Sequence, residues 1–240
     1  MQSPPKPSSD YIQTMFDGLA NRYDLFNHLT SMGMAGLWRA KTLDLLSPGM
    51  RVLDIGCGTG DLSIAAIQRM GNRGEVIGLD FSRNMLDLAK KRAQKIPFNG
   101  PLNVRWIQKR AEELPIESEP YDVAVSGFVL RNLYENIDLI LKRVYQCLKK
   151  NGRIRFLDIT EPENFFQRFL WTIYMNTLVG IYGKILFGKN YPVLYLTDSA
   201  KRFFRARDFV KKLGEAGFRN VQTKSFILGS VTLYMADKES

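Results

Sequence analysis

At 240 residues, 45% apolar and 24% charged, the chain has the size and composition of one globular domain with a sizeable core, not of a disordered or fibrous protein. Cys57 and Cys147 are too few and too far apart for a disulfide framework or a zinc site, so a reducing cytoplasm is the expected compartment and no metal is expected. The formal charge of +10 favours an anionic partner, phospholipid or nucleic acid.

Residues 1–10, MQSPPKPSSD, hold prolines and no apolar stretch, which predicts a disordered lead-in and neither signal peptide nor membrane span. In 11–46, Met15, Leu19, Tyr23 and Phe26 fall on one stripe, predicting two or three short N-terminal helices. After Ser47-Pro48-Gly49 a strand–helix alternation begins. Strand 51–55 leads through a glycine loop to a helix from Asp61 to Met70; strand 75–80 leads to a helix over 82–95 with Ser82 as its N-cap. Strands follow at 102–107 and 121–129, a helix over 136–149, and a fifth strand at 152–159. Residues 164–199 carry apolar pairs near four-residue spacing. Their longest charge-free run, Phe169 to Gly183, is 15 residues, which is short for a spanning helix and predicts a helical cap or dimer helix.

The stretch 200–224 concentrates eight basic and two acidic residues, and of Phe203 and Phe204 one is expected in the core. Two β-rich runs close the chain, Val221 to Ile227 and Val231 to Ala236, and so short a connection joins antiparallel strands. The pattern is an α/β, Rossmann-like doubly wound sheet with an antiparallel C-terminal hairpin. The expected organisation is one domain over 11–240, with N-terminal helices to 46 and a helical cap insertion at 163–199.

The first strand and its loop read RVLDIGCGTGD. Gly56, Gly58 and Gly60 alternate as G-x-G-x-G, and Asp61 stands where a dinucleotide fold has its third glycine. A carboxylate opening the helix is unwelcome beside a pyrophosphate and suits a cationic or zwitterionic ligand. No G-K-[ST] follows, which excludes a P-loop. Asp80, at the end of the second strand, is placed to accept both ribose hydroxyls. S-adenosylmethionine, with a sulfonium, an ammonium and no phosphate, fits this set.

VLDIGCGTGDLS with GLDFSRNML resembles the class I S-adenosylmethionine-dependent methyltransferases. The resemblance implies a seven-stranded sheet with its last strand antiparallel. It puts Gly56, Gly58, Thr59 and Gly60 on the methionine side, Asp80 at the ribose, Arg110 and Ala111 at the adenine and Gly127 facing the methyl donor, with Asp54 and Phe81 also among the cofactor-binding residues. FDGLANRYDLFNHLTSMGMAGLW (16–38), GFVLRNL (127–133) and GRIRFLDITEP (152–162) further resemble the quinone-biosynthesis C-methyltransferases. These methylate the ring of demethylmenaquinol or of a polyprenyl benzoquinol, so a lipophilic quinol is the implied acceptor. The chain departs from that pattern at Ala35, Arg110, 149–152, Asp158, Thr160 and 198–204. The departures at Ala35, Asp158 and 198–204 support an alternative, O- or N-methylation of another small molecule or lipid. A cofactor-binding protein without turnover is a further reading, which Arg110 would favour.

Carbon methylation of a quinol needs the phenolate, steadied by a cation. Arg131, just beyond the fourth strand, is the candidate for that role. Asn132 would orient the hydroxyl or a water, and Asp61 would take the proton through that water. His28, the single histidine, is expected on a helix surface, and Tyr23 in the pocket wall. An apolar quinol implies a greasy pocket with its mouth near lipid, hence peripheral contact with the inner face of an anionic membrane; a homodimer is a further expectation. Nucleic acid is not an expected partner, since no RNA module, Asn-Pro-Pro-Tyr motif or catalytic cysteine stands at strand four.

Overall fold

The structure, a computed structural model, describes residues 23–98, 100–117, 119–188 and 193–239. The lead-in 1–10 and the stripe positions Met15 and Leu19 lie outside the described residues, as does the side chain of Tyr23.

Two short helices, α1 (Tyr23–Thr30) and α2 (Ala35–Thr42), precede the sheet. Then come β1 (Arg51–Ile55), α3 (Asp61–Arg69), β2 (Glu75–Asp80), α4 (Arg83–Gln94), β3 (Val104–Gln108), β4 (Tyr121–Gly127), α5 (Ile137–Cys147) and β5 (Leu148–Ile159). The cap is α6 (Phe165–Tyr174), a π-helical turn (Met175–Val179) and α7 (Gly180–Phe187), followed by α8 (Val193–Arg202) and α9 (Ala206–Glu215). β6 (Arg219–Phe226) and β7 (Val231–Asp237) complete one seven-stranded sheet in the order β3-β2-β1-β4-β5-β7-β6.

Only β7 runs against the rest, pairing antiparallel with both β5 and β6. The hairpin is therefore at the edge as expected, but β6 itself points the same way as the parallel strands. Its connection is a 3-10 turn, Ile227–Gly229. β4 stops at Gly127, two residues short of the expected limit, because Phe128 adopts a left-handed φ of 63° and turns the chain out of the sheet. β5 begins four residues early, with a register shift opposite β4 between Tyr121 and Val123.

Alternation along β1 decides the two cores. Leu53 and Ile55 face α5 and α9, joining Ile140, Leu141, Val144, Phe209 and Leu213. Val52 faces the other way, with Leu62, Ile67 and Met70 of the α3 side. Each fully buried aliphatic side chain here contributes about 1.5–3 kcal/mol. Phe203 is buried and Phe204 packs against the same core, while His28 is exposed. Ser82 caps α4, its side chain accepting from Met85 N–H. The strand order reverses between β1 and β4, so the carboxyl ends of these two strands open a crevice.

Candidate active site

That crevice holds a cavity of about 540 Å3. Its floor is the loop after β1, where the alternate glycines do different jobs. A Cβ on Gly56 would stand 2.5 Å from Val129 Cγ1, so only glycine fits beneath the β4 turn. At Gly58 (φ +53°) nothing lies within 4 Å of that position: its open side is the cavity. Gly60 (φ +83°) faces the other way, and a Cβ there would meet Trp106 Cη2 at 2.8 Å and Ala89 Cβ at 2.9 Å. Gly56 and Gly58 line the cavity as expected, and Gly60 does not. Its role is corrected to the close packing of α3 against α4 and β3.

Three carboxylates surround the loop in three different states. Asp80 is buried; its Oδ2 accepts from Gly58 N–H at 2.9 Å and its Oδ1 from Ser82 N–H at 2.9 Å. Asp54 points from β1 to the α3 side, where its Oδ2 accepts from Ser63 Oγ at 2.5 Å. Burial pushes its carboxyl up to about 7, opposed by the Ser63 hydrogen bond and helped by the nearby Asp80 charge. A cation arriving in the cavity would favour its ionised form.

Asp61 is otherwise. Arg92 of α4 holds its Oδ1, and Arg39 of α2 lies 2.9 Å from its Oδ2. Arg92 also donates to Thr59 Oγ1 at 2.9 Å, so one guanidinium ties the loop to the first turn of α3. Both of its oxygens are engaged by guanidiniums, and the expected role of Asp61 as base is corrected to a clamp on the loop. Nor does it make the site anionic, since the three groups together carry a positive charge. The preference for a cationic ligand rests instead on Asp54 and Asp80. Nothing local in the sequence marks Arg92, which is 31 positions from Asp61.

The opposite wall comes from the end of β4. The left-handed Phe128 donates its N–H to Leu157 O at 2.7 Å and folds the chain into a 3-10 turn, Leu130–Asn132. Backbone in this region costs a bulky residue about 1–3 kcal/mol and persists only where surrounding contacts impose it. Arg131 is thereby carried inward. Its Nη1 donates to Asp158 Oδ1 at 2.7 Å and to Phe128 O at 2.5 Å, while its main-chain N–H reaches Asp158 Oδ2 at 3.0 Å. Both side chains are buried. Arg131, Asn132, Gly127, Phe81, Arg110 and Ala111 all line the cavity, as do Asn27 of α1 and Ser199 and Arg202 of α8, which the sequence reading did not assign. Cys57 lies in the loop, but burial holds its thiol well above the usual range, so it is no nucleophile.

A second cavity, about 260 Å3, lies behind Phe128. Phe26, Trp38, Ile159, Trp171, Met175 and Val179 make it strongly apolar. Asn27, Phe128 and Arg131 border both cavities.

The model of the ubiE/COQ5 methyltransferase family matches residues 6–238. The chain belongs to that family. It is an S-adenosylmethionine-dependent methyltransferase. Its curated relatives include a demethylmenaquinone methyltransferase of Oceanobacillus iheyensis, 31% identical over 239 residues, with 98% of this chain and 99% of the relative covered. Another of that name, from Lactiplantibacillus plantarum, is 31% identical over 232 residues, covering 95% and 96%. In fold, the methyltransferase is similar to an S-adenosylmethionine-dependent methyltransferase of Thermotoga maritima at a TM-score of 0.64 and 21% identity, covering 95% of this chain and all of that one. A methyltransferase of Bacillus halodurans gives a TM-score of 0.59 at 20% identity, covering 84% and 99%. The residues present suit the cofactor: the open side of Gly58 leaves room for it, and the Asp54 and Asp80 carboxylates that line the same cavity suit a cationic ligand.

Proposed function

We propose that this methyltransferase transfers a methyl group to a ring carbon of a prenylated quinol, demethylmenaquinol in first place. The observation that carries this reading is the apolar second cavity, which meets the cofactor cavity at Asn27, Phe128 and Arg131. A flat apolar ring entering from it arrives where the methyl end of the cofactor would lie. The names of the curated relatives support the same acceptor class.

Bound in the first cavity, S-adenosylmethionine supplies an electrophilic methyl group. Asp80 would receive the ribose hydroxyls, Asp54 would face the ammonium, Thr59 and Gly58 would flank the methionine chain, and Phe81, Arg110 and Ala111 would meet the adenine. Gly127, without a side chain, leaves the path to the ring open. Arg131 steadies the phenolate that makes the ring carbon nucleophilic, and Asp158 fixes where that guanidinium stands. With Asp61 engaged by two arginines, the hydroxyl proton leaves through a water oriented by Asn132. A ring carbon brought within about 3–3.5 Å of the methyl group would form its bond to carbon as the bond to sulfur breaks, leaving S-adenosylhomocysteine, and the proton on that ring carbon would then pass to water to restore the aromatic quinol. So apolar an acceptor keeps the enzyme working at an anionic membrane surface.

The test is methyl transfer from labelled cofactor to reduced demethylmenaquinol, to a demethylated benzoquinol and to oxidised demethylmenaquinone. Label should enter the reduced naphthoquinol fastest and the oxidised compound not at all; transfer to neither quinol would contradict the assignment. Removing Arg131 alone leaves the Asp158 carboxylate buried and unpaired, which costs about 3–5 kcal/mol of stability. The neutral double variant Arg131→Gln/Asp158→Asn avoids this. It should lower kcat about 100-fold while changing the cofactor Kd only a few-fold.

A further inference from the structure

We propose that the outer face of α6, the π turn and α7 docks on an anionic lipid bilayer, and that the acceptor slides from the bilayer into the second cavity with its tail left in lipid. This rests on the quinol reading above and adds to it a surface and a route.

The cap helix is apolar on two sides. Trp171, Met175 and Val179 are buried and face the second cavity. Phe165, Phe166, Phe169, Ile173, Ile181 and Ile185 face outward, with Phe165 82% and Ile185 70% exposed. A helix apolar nearly all round belongs in an apolar medium, and a patch of this kind marks an interaction surface. Among the described residues no helix is long and apolar enough to cross a membrane, so this one lies on the surface.

Charge selects the occupant. Between 165 and 188 the ionisable side chains besides tyrosine are Arg168, which turns back to Glu161 at 3.9 Å, and the exposed Lys184, with no aspartate or glutamate on the helix, in a chain of net charge +10. A lipid surface bearing negative headgroups answers these cations. A two-fold contact with a second copy would press the exposed Lys184 of each copy onto an apolar face that has no carboxylate of its own.

Continuity gives the route. Leu170 belongs both to the exposed stripe and to the lining of the second cavity, whose rim also carries the exposed Met32 and Leu228. Apolar surface therefore runs unbroken from the outer face to Phe128 and Arg131. The ring can reach the methyl donor while the polyprenyl chain stays in hydrocarbon.

The experiment compares the full chain with the triple variant Phe165→Ser/Phe169→Ser/Ile185→Ser. Both are floated with phosphatidylglycerol–phosphatidylcholine vesicles and with pure phosphatidylcholine vesicles, and both are assayed on a long-chain demethylmenaquinol in vesicles and on a tail-less demethylnaphthoquinol in solution. Thermal unfolding serves as the folding control. The wild type should float with the anionic vesicles only. The variant should lose that and about tenfold in kcat/KM on the vesicle substrate, and keep its rate on the tail-less one. Wild type that does not float, a variant that floats as well, or equal loss on both substrates would overturn the proposal. A dimeric wild type that becomes monomeric in the variant would do so too, assigning the face to a second copy. If wild type methylates neither quinol but floats as described, the acceptor reading fails and the docking surface stands.

Discussion

At the proposed cofactor site, Asp54 ties binding to pH. Its carboxyl sits near 7 because it is buried, against an ordinary 3.8. For a raised carboxyl the sign is clear: the stability it lends is complete below about pH 4 and is lost as pH rises through 7, where the charge is forced on the buried site. A cationic ligand reverses the preference. Binding of S-adenosylmethionine below pH 7 should release a proton, and affinity should fall by up to about tenfold per unit as pH drops. Calorimetry in buffers of different ionisation enthalpy reads the proton directly. Asp54→Asn should abolish this pH dependence, weaken binding at pH 8 and raise Tm there; unchanged pH dependence would remove Asp54 from the ammonium site. The glycines part in the same residue-level way. Gly60→Ala meets Trp106 and Ala89 and should destabilise the fold by about 1–3 kcal/mol. Gly58→Ala meets only open cavity, so its stability cost is the left-handed backbone alone, about 1 kcal/mol and a few degrees of Tm, while cofactor binding should weaken, by denaturation and calorimetry on the same samples. That the glycine loop and Asp80 meet was legible because both lie at the carboxyl ends of neighbouring strands. That Asp61 is neutralised was not, because Arg39 and Arg92 reach it from other helices.

At the scale of elements, the cap shows what periodicity conveys and what it conceals. The four-residue spacing in 164–199 announced a helix, and the structure has one, bent through a π turn at Met175–Val179. A π turn holds more than four residues per turn, so Trp171, Met175 and Val179, spaced by four, stay on the cavity side. The spacing therefore carried the information, but it is shared with any buried amphipathic helix. At the start of α6, Asn164 Oδ1 accepts from Phe166 N–H at 3.0 Å and Gln167 N–H at 3.2 Å. Asn164→Ala should cost about 1 kcal/mol of helix stability. Because α6 packs on one side only, the loss should be local: hydrogen exchange should quicken in α6 and stay unchanged in β1 and β4. Faster exchange throughout the sheet would mean that the cap and the core unfold as one unit.

The whole molecule places two unlike cavities on either side of one turn. Strand order puts the glycine loop after β1 opposite the turn after β4, which fixes the cofactor side, and that much follows from the alternation of elements alone. The apolar cavity is assembled from α1, α2, the cap and the β6–β7 connection, segments distant in sequence, so no stretch of the chain announces it. The left-handed Phe128 and the buried Arg131–Asp158 pair join the two halves. The central claim is that the acceptor ring lies at that seam. A crystal structure of the methyltransferase with S-adenosylhomocysteine and a demethylnaphthoquinol tests it most directly. The ring should stack by Phe128 with its hydroxyl oxygen on the Arg131 side and its tail in the apolar cavity. A ring seated outside that seam, or a tail pointing away from Trp171 and Met175, would contradict the account.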